Sequence, residues 1–334
     1  MIIIKMPDND SAEALYTQLK TQSPNEYIIY DHQTQLGLTS SAVLQTLTLP
    51  KTAQVMTDAP TALRASRQWH PEDTVIQTAH SQIGGENFTL IAGPDSVESQ
   101  THIDAMAQAV KATGATILRG GSFKPRTNPY SFQGYGESGL KEHRQAADQF
   151  GLDMMTEIMD TRDFDLIDHY TDIFQVGARN MQNFSLLKQL GQQVKPVGLK
   201  RGMSATIDDL LNAAEYILAA GNPNVFLIER GIRTFDNKYT RNTFDVAAVP
   251  VLQQLTHLPV LVDPSHAAGK RSLVQPLALA GVAAGAQGLM IEIHDQPGKA
   301  LVDGAQALTP NELKDIMQKA KAIKTIVKET HADD

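Results

Sequence analysis

A closed (β/α)8 barrel preceded by a small α+β domain is the architecture this sequence predicts, on three observations. From residue 88 onward, short apolar runs rich in β-branched residues recur about 30 residues apart, separated by amphipathic stretches, which is the rhythm of βα units. Eight such units fit into roughly 240 residues, the length of a complete barrel. Residues 1–66 have a different texture, with strands and helices alternating at much shorter intervals. An open doubly wound sheet can also carry eight strands, but the count and the length favour closure.

The elements follow in order. "MIIIKM" and "EYIIYD" read as short strands, "SAEALYTQLKT" has helical spacing, "SAVLQTL" is a second helix and "KTAQVMT" a further strand. Together they make a split β-α-β layer of the ferredoxin-like kind. "SRQWHPEDTVIQ" (66–77), with the only tryptophan, is the connection, so the expected domains are 1–66 and 67–334. The barrel strands are "TLIAG" (89–93), "TILRG" (116–120), "MMTEI" (154–158), "IFQVG" (173–177), "PVGLK" (196–200), "VFLIE" (225–229), "PVLVD" (259–263) and "GLMIEI" (288–293). Between them lie amphipathic segments such as "IDDLLNAAEYILAAG", which Gly221 closes as a helix C-cap.

Composition narrows the function classes. Hydrophobic residues at 42% and charged residues at 20% are enough to bury a sizeable core. The net charge of -8 argues against a nucleic-acid partner, which a basic surface would serve. The chain has no cysteine, which excludes disulfides and thiolate metal sites and suits a reducing compartment. "MIIIKMPDND" is too short an apolar run for a signal peptide. "PLALAGVAAGAQGLMIEI" (276–293) is broken by three glycines and a glutamine, so it reads as a buried helix and strand rather than a membrane span. A cytoplasmic location is expected.

In such a barrel the active site lies where strands end and the following loops begin. Those positions carry an unusual amount of basic charge for an acidic chain. The second strand ends in Arg119, followed by "GGSFKPRTNPYSFQG" with Lys124 and Arg126; the fourth runs into Arg179, the fifth into Lys200 and Arg201, the sixth into Arg230 and Arg233. Any one of these could be an idle rim charge. Cations converging from several strands suit a small, multiply charged anion bearing phosphate and carboxylate.

A second set at the same end is acidic and imidazole-bearing: Asp95 after the first strand, Asp263 and His266 after the seventh, Glu292, His294 and Asp303 at and beyond the eighth. Alternation puts Glu292 on one face with Met290 and His294. A glutamate facing inward needs a partner. Spacing alone leaves two readings open, a salt-bridge network with the basic set or a site for a borderline-to-hard divalent ion such as Mn²⁺ or Mg²⁺, with Zn²⁺ or Fe²⁺ also compatible.

The motifs "LRGGSFKPRTNPYSFQG", "QVGARNMQNF", "LKRGMSAT", "ERGIRTF…TRNT", "VDPSHAAGKR" and "IEIHDQPGKALVDGAQ", in order across residues 66–310, resemble the 3-deoxy-D-arabino-heptulosonate 7-phosphate (DAHP) synthases, in the subgroup related to 3-deoxy-octulosonate 8-phosphate (KDO8P) synthases. The resemblance implies a (β/α)8 barrel that condenses phosphoenolpyruvate with erythrose 4-phosphate, the first step of the shikimate pathway. It implies that Arg119, Lys124, Arg179, Lys200 and Arg230 hold phosphoenolpyruvate, that Arg126 and Thr127 engage the aldose phosphate, and that Lys124 acts as proton donor. His266, Glu292 and Asp303 match three of the family's four metal ligands. The fourth is a cysteine in the family pattern "AGPCS"; here the stretch is "AGPDS", so Asp95 stands in the ligand position with oxygen in place of sulfur. That exchange favours Mn²⁺ among the candidate ions. The alternative is a damaged metal site.

The first 66 residues resemble the regulatory domain found at this position in part of the family, which implies feedback inhibition by tyrosine or phenylalanine. A homo-oligomer, as a tetramer, is implied too, with neither a nucleic-acid nor a membrane partner. Three rival functions remain at this level: a KDO8P synthase-like enzyme using arabinose 5-phosphate, a non-catalytic aromatic amino-acid sensor, and a phosphate-binding barrel aldolase with Lys200 as a Schiff-base lysine.

Overall fold

The structure, a computed structural model, describes residues 1–331 and divides into two compact units, Met1–Glu72 and the chain from Asp73 onward. Residues 67–72 thus go with the first unit, beyond the end of the expected 1–66 span.

The first unit runs β1 (Ile2–Lys5), α1 (Asn9–Gln22), β2 (Ile28–Tyr30), β3 (Gln35–Leu38), α2 (Ser41–Gln45) and β4 (Gln54–Met56). Its sheet is antiparallel in the order β2-β3-β1-β4, the β-α-β-β-α-β arrangement. Asp8 starts α1 by accepting the Ser11 N–H at 2.8 Å. Leu15 and Leu19 on that helix then pack against Ile2, Ile4, Leu36 and Leu38 of the sheet. Strand β3 was not among the predicted elements, because Gly37 breaks its apolar alternation.

The second unit opens with a hairpin of β5 (Val75–Gln77) and β6 (Gln82–Gly84). Then come β7 (Thr89–Gly93), α3 (Gln100–Ala112), β8 (Ile117–Arg119), α4 (Glu137–Phe150), β9 (Asp153–Ile158), α5 (Phe164–Tyr170), β10 (Ile173–Val176), α6 (Phe184–Leu190), β11 (Val197–Lys200), α7 (Ile207–Ala220) and β12 (Val225–Glu229). The chain ends with α8 (Ala248–Leu255), β13 (Val260–Val262), α9 (Pro264–Ala268), α10 (Arg271–Ala283), β14 (Gly288–Glu292) and α11 (Pro310–His331). Strands β7 to β14 close into one parallel barrel, as the eight-strand rhythm predicted. Apart from Glu157, every residue of these strands is buried, which is why they read as continuous apolar runs rather than alternating ones.

The sequence predicts no such hairpin: its strands are only three residues long, β5 at the end of the connection 66–77 and β6 just beyond it. The hairpin closes the amino-terminal end of the barrel. Ile76 and Ile83 pack into the barrel interior with Ile91, Ile117, Phe226 and Met290. Asp153 at the start of β9 receives the hydroxyls of Thr78 and Ser81 at 2.5 and 2.6 Å. With that end plugged, the chemistry is left to the other. No helix among the described residues is long and apolar enough to cross a membrane.

One buried group links this packing to pH. His143 on α4 is fully buried, with its Nε2 3.2 Å from the Leu118 carbonyl. Burial pushes its pKa from 6.5 down to about 3, the bond to Leu118 opposing and the Arg144 and Arg119 charges adding to it. The unfolded chain takes up a proton as pH falls through 6.5, whereas the folded one does not until near 3, so stability is lost across that window on acidification. At pH 5 this one group is expected to cost about 2 kcal/mol. The urea midpoint of His143→Gln is therefore expected to fall less between pH 7 and pH 5 than that of the parent protein. An equal fall in both would place the acid sensitivity elsewhere.

Candidate active site

At the carboxyl ends of the barrel strands lies an open cleft. Asp95, Arg119, Lys124, Arg126, Thr127, Arg179, Lys200, Arg230, His266 and Asp303 all line it. Glu292 is buried beside them, 3.3 Å from Arg119 Nη1 and 3.1 Å from His266 Nε2. The side chains singled out in the sequence thus meet in one place, although they come from β7, β8, β10, β11, β12, β13, β14 and the loops beyond.

Local structure explains how each is aimed. β7 ends at Gly93, whose φ of 153° and tight approach to β8 leave no room for a side chain: a Cβ there would lie 2.0 Å from the Arg119 carbonyl oxygen. Asp95 follows two residues later, and its backbone carbonyl accepts the Gly121 N–H at 3.1 Å, which ties the two strand ends together. Arg119, the last residue of β8, sends Nη1 to the Pro94 carbonyl at 3.0 Å and lies 3.4 Å from Asp95 Oδ1. Lys124 reaches back so that Nζ is 2.9 Å from the Asp95 carbonyl and 2.8 Å from Oδ2.

His266 sits on α9, a single turn of helix written in "DPSHAAG". Asp263 is the N-cap, Pro264 occupies the first helical position, and Gly269 ends the turn in the left-handed region at φ 64°. The Asp263 carboxylate serves three donors at once: His266 N–H at 3.0 Å, His266 Nδ1 at 2.7 Å and Lys200 Nζ at 2.7 Å. With Nδ1 held there, Nε2 faces Glu292 and, at 4.0 Å, Asp95 Oδ1. Asp303 is one of two non-glycine residues with positive φ among those described, at 51°, and Arg241 Nη1 holds its Oδ2 at 2.7 Å.

Asp95, His266, Glu292 and Asp303 place one ligand atom each within 4.8 Å of one another. Their electrostatics fit a divalent cation. Burial pushes the Asp95 carboxyl up, but Lys124 and Arg119 outweigh it and hold it well below the usual carboxylate range. Burial and then the Asp95 charge push Glu292 well above that range, against Arg119. The two buried carboxylates thus repel each other, and a bound cation would relieve that repulsion. Burial and then Lys200 push His266 down to about 4, with Asp263 opposing, so the imidazole is neutral at neutral pH. An Nδ1–H held by a carboxylate, with Nε2 turned to the acids, is how metal-binding histidines are commonly oriented.

The cations divide into two groups. Arg119, Lys124 and Lys200 pair with acids of the site. Arg126, Arg179 and Arg230 make no ion pair among the described residues, and Arg230 Nη1 is buried without a hydrogen bond. Burial pushes Arg230 down, with Arg241 and Arg179 adding to this and Asp263 and Glu229 opposing, a net deficit that an anion would correct. Three strand-end residues fall elsewhere. Arg201 is committed to Glu229 at 3.0 Å and Asp245 at 2.7 Å and does not line the cleft. Arg233 is exposed outside it. His294, grouped with Glu292 by alternation, instead lies against Glu98 and His102, because β14 ends at Glu292.

Several further participants were not among the residues predicted from the sequence. Gln306 donates to Glu292 Oε2 at 2.6 Å, and Arg241 orients Asp303; neither has a signal of its own, since each lies in a loop whose path the sequence does not fix. Glu157 and Gln175 also line the cleft. Those two were detectable as polar residues inside the apolar runs "MMTEI" and "IFQVG".

A model of the DAHP synthetase I family matches residues 72–329. The phospho-2-dehydro-3-deoxyheptonate aldolase of Thermotoga maritima is 50% identical over 258 residues, which cover 77% of this chain and 76% of that protein. A 2-dehydro-3-deoxyphosphooctonate aldolase of Syntrophotalea carbinolica is 30% identical over 272 residues, covering 76% and 97%. The crystal structure of the DAHP synthase of Thermotoga maritima matches with a TM-score of 0.78 at 40% identity, over 98% of this chain and 97% of that one. A truncated form of the Thermotoga maritima enzyme matches with a TM-score of 0.74 at 45% identity, over 79% and 96%.

Proposed function

The chain belongs to the DAHP synthetase I family, and from that premise we propose how its residues carry out the reaction of a 3-deoxy-7-phosphoheptulonate synthase. The enzyme joins phosphoenolpyruvate to erythrose 4-phosphate and releases inorganic phosphate. The observation that carries the assignment of residues is the placement of Arg126, Arg179 and Arg230, without acidic partners among the described residues, in the same cleft as the four-ligand cluster.

Arg119, Lys124, Arg179, Lys200 and Arg230 would bind the phosphate and carboxylate of phosphoenolpyruvate, and Arg126 and Thr127 the phosphate of the aldose. C3 of phosphoenolpyruvate attacks the aldehyde carbon, forming the new C–C bond. Lys124 donates a proton to the oxygen that becomes the alkoxide. Water adds at C2, and the resulting hemiketal breaks its C–O bond to phosphate, leaving the 2-keto product. Asp95, His266, Glu292 and Asp303 would hold a divalent ion, Mn²⁺ by preference for an oxygen-rich donor set, which when bound supplies a Lewis acid for the aldehyde oxygen. Fixed arginines need no reorganisation as charge develops, the usual source of electrostatic catalysis. In this reading the protein is cytoplasmic and assembles as a homo-oligomer.

The substrate assignment is tested by measuring phosphate release from phosphoenolpyruvate with erythrose 4-phosphate and with arabinose 5-phosphate. The four-carbon aldose is expected to give the higher kcat/KM by at least about tenfold, an increment of about 1.4 kcal/mol. A preference for arabinose 5-phosphate would sink the reading.

We assign the first unit a regulatory role, sensing tyrosine or phenylalanine. Its separate sheet and core support this. Removal of residues 1–72 is expected to abolish inhibition by these amino acids while the barrel stays active. Inhibition that survives the truncation would place the effector site in the barrel.

A further inference from the structure

Beyond the cleft, the structure holds a second cluster of metal-binding side chains that the reaction does not use. Glu98 lies in the loop after β7, His102 on the first turn of α3, and His294 directly after β14. One ligand atom from each falls within 4.8 Å of the others. The two imidazoles lie with centroids 4.3 Å apart and planes tilted by 36°, and His294 Nε2 is 3.4 Å from Glu98 Oε2. His102 has only 10% of its side chain exposed, yet neither of its ring nitrogens makes a hydrogen bond. Nε2 has only a loose contact with Asp295 Oδ1 at 3.4 Å and Nδ1 has no hydrogen-bond partner, a costly arrangement for a largely buried imidazole.

We propose that Glu98, His102 and His294 form a second cation site, separate from the catalytic cluster, for a borderline ion of the Zn²⁺ class. Two imidazole nitrogens and one carboxylate oxygen are the donors such an ion takes. Ligand atoms about 2.0–2.1 Å from a tetrahedral ion lie about 3.4 Å from one another, the separation found between His294 Nε2 and Glu98 Oε2. Glu98 is already oriented for coordination, because its Oε1 accepts the Leu301 N–H at 2.8 Å, which leaves Oε2 for the ion. Asp295 completes the surroundings, with Oδ1 3.1 Å from His294 Nδ1 and 3.4 Å from His102 Nε2. Binding at His294 Nε2 moves that ring's proton to Nδ1, where the Asp295 carboxylate receives it in place of the Gln296 N–H now directed there at 2.9 Å. Because Glu98 also holds Leu301, the ion would brace the loop that leads to Asp303.

The test is metal stoichiometry in the full-length protein. Chelator-stripped protein is loaded with Zn²⁺, dialysed and assayed for bound zinc per chain, alongside His102→Leu, Glu98→Gln and His266→Ala. With both sites working, the parent holds two equivalents, and each variant holds one. If the catalytic cluster fails to take metal, the parent holds one equivalent that His102→Leu loses and His266→Ala keeps, which upholds the second site and overturns only the first. Zinc content unchanged by both His102→Leu and Glu98→Gln, in variants whose thermal melts match the parent, would overturn the proposal. Substitution with Co²⁺ gives an independent readout, since the visible bands of a two-imidazole site are expected to vanish in His102→Leu and to persist in His266→Ala.

Discussion

Stripping the protein with a chelator is expected to lower its condensation rate by at least about 100-fold, and Mn²⁺ is expected to restore it better than Zn²⁺. The reason lies in Asp95. Where the family pattern has a cysteine, this chain presents a buried carboxylate whose Oδ1 faces the ligand cluster while Oδ2 pairs with Lys124 at 2.8 Å. A donor set of three carboxylates and one imidazole prefers a harder ion than one containing a thiolate. Two substitutions separate the consequences. Asp95→Asn keeps the size but removes the charge; it is expected to weaken metal binding on the order of 100-fold. It also leaves Lys124 without its counter-ion, a loss of about 3–5 kcal/mol for a broken buried pair. Asp95→Cys is expected to bind metal and to shift the preference towards Zn²⁺ or Fe²⁺. Titration of each ion against each variant, with melting curves as the control for folding, reads both effects. A stripped enzyme that keeps full activity would mean that Asp95 serves only as the partner of Lys124 and Arg119.

Lys124→Met is expected to lower kcat by about 10²–10⁴-fold, the range for loss of a positioned proton donor. Lys124 is 7% exposed and is held from two sides by the same residue, through the Asp95 carbonyl at 2.9 Å and the carboxylate at 2.8 Å. That double contact fixes the ammonium beside the ligand cluster, where the aldehyde oxygen would lie. A residue that only bound phosphoenolpyruvate would show its loss mainly in KM, whereas a proton donor shows it in kcat. Lys124→Arg retains charge but not the compact donor, so it is expected to recover binding without recovering turnover. Near-normal kcat in Lys124→Met would remove the acid role altogether.

Much of this site was legible in the sequence because barrels obey a simple rule: strand ends on one side carry the chemistry. Once the eight apolar runs were placed, Arg119, Lys200 and Glu292 followed from their positions as last residues of β8, β11 and β14. Asp95, Lys124 and His266 followed from the loops, and the motifs assigned them roles by resemblance. Alternation misled at His294, since it was carried past the last residue of β14, beyond which the chain no longer keeps the strand's period.

The barrel, its chemical end and the inventory of side chains delivered there are all written in the order of residues along the chain. Hydrophobic periodicity and strand spacing are local properties, readable one segment at a time. Which charges pair with one another and which are left for ligands depends instead on how the folded chain brings them together. Arg201 is neutralised by Glu229 and Asp245, while Arg230 keeps a buried nitrogen unsatisfied, though both stand at strand ends in the same sequence pattern. Likewise Glu98 and His102 meet His294 across nearly the whole length of the barrel sequence. Ion pairing and metal binding depend on separations of a few ångströms between residues far apart in the chain, and those distances exist only once the barrel has closed.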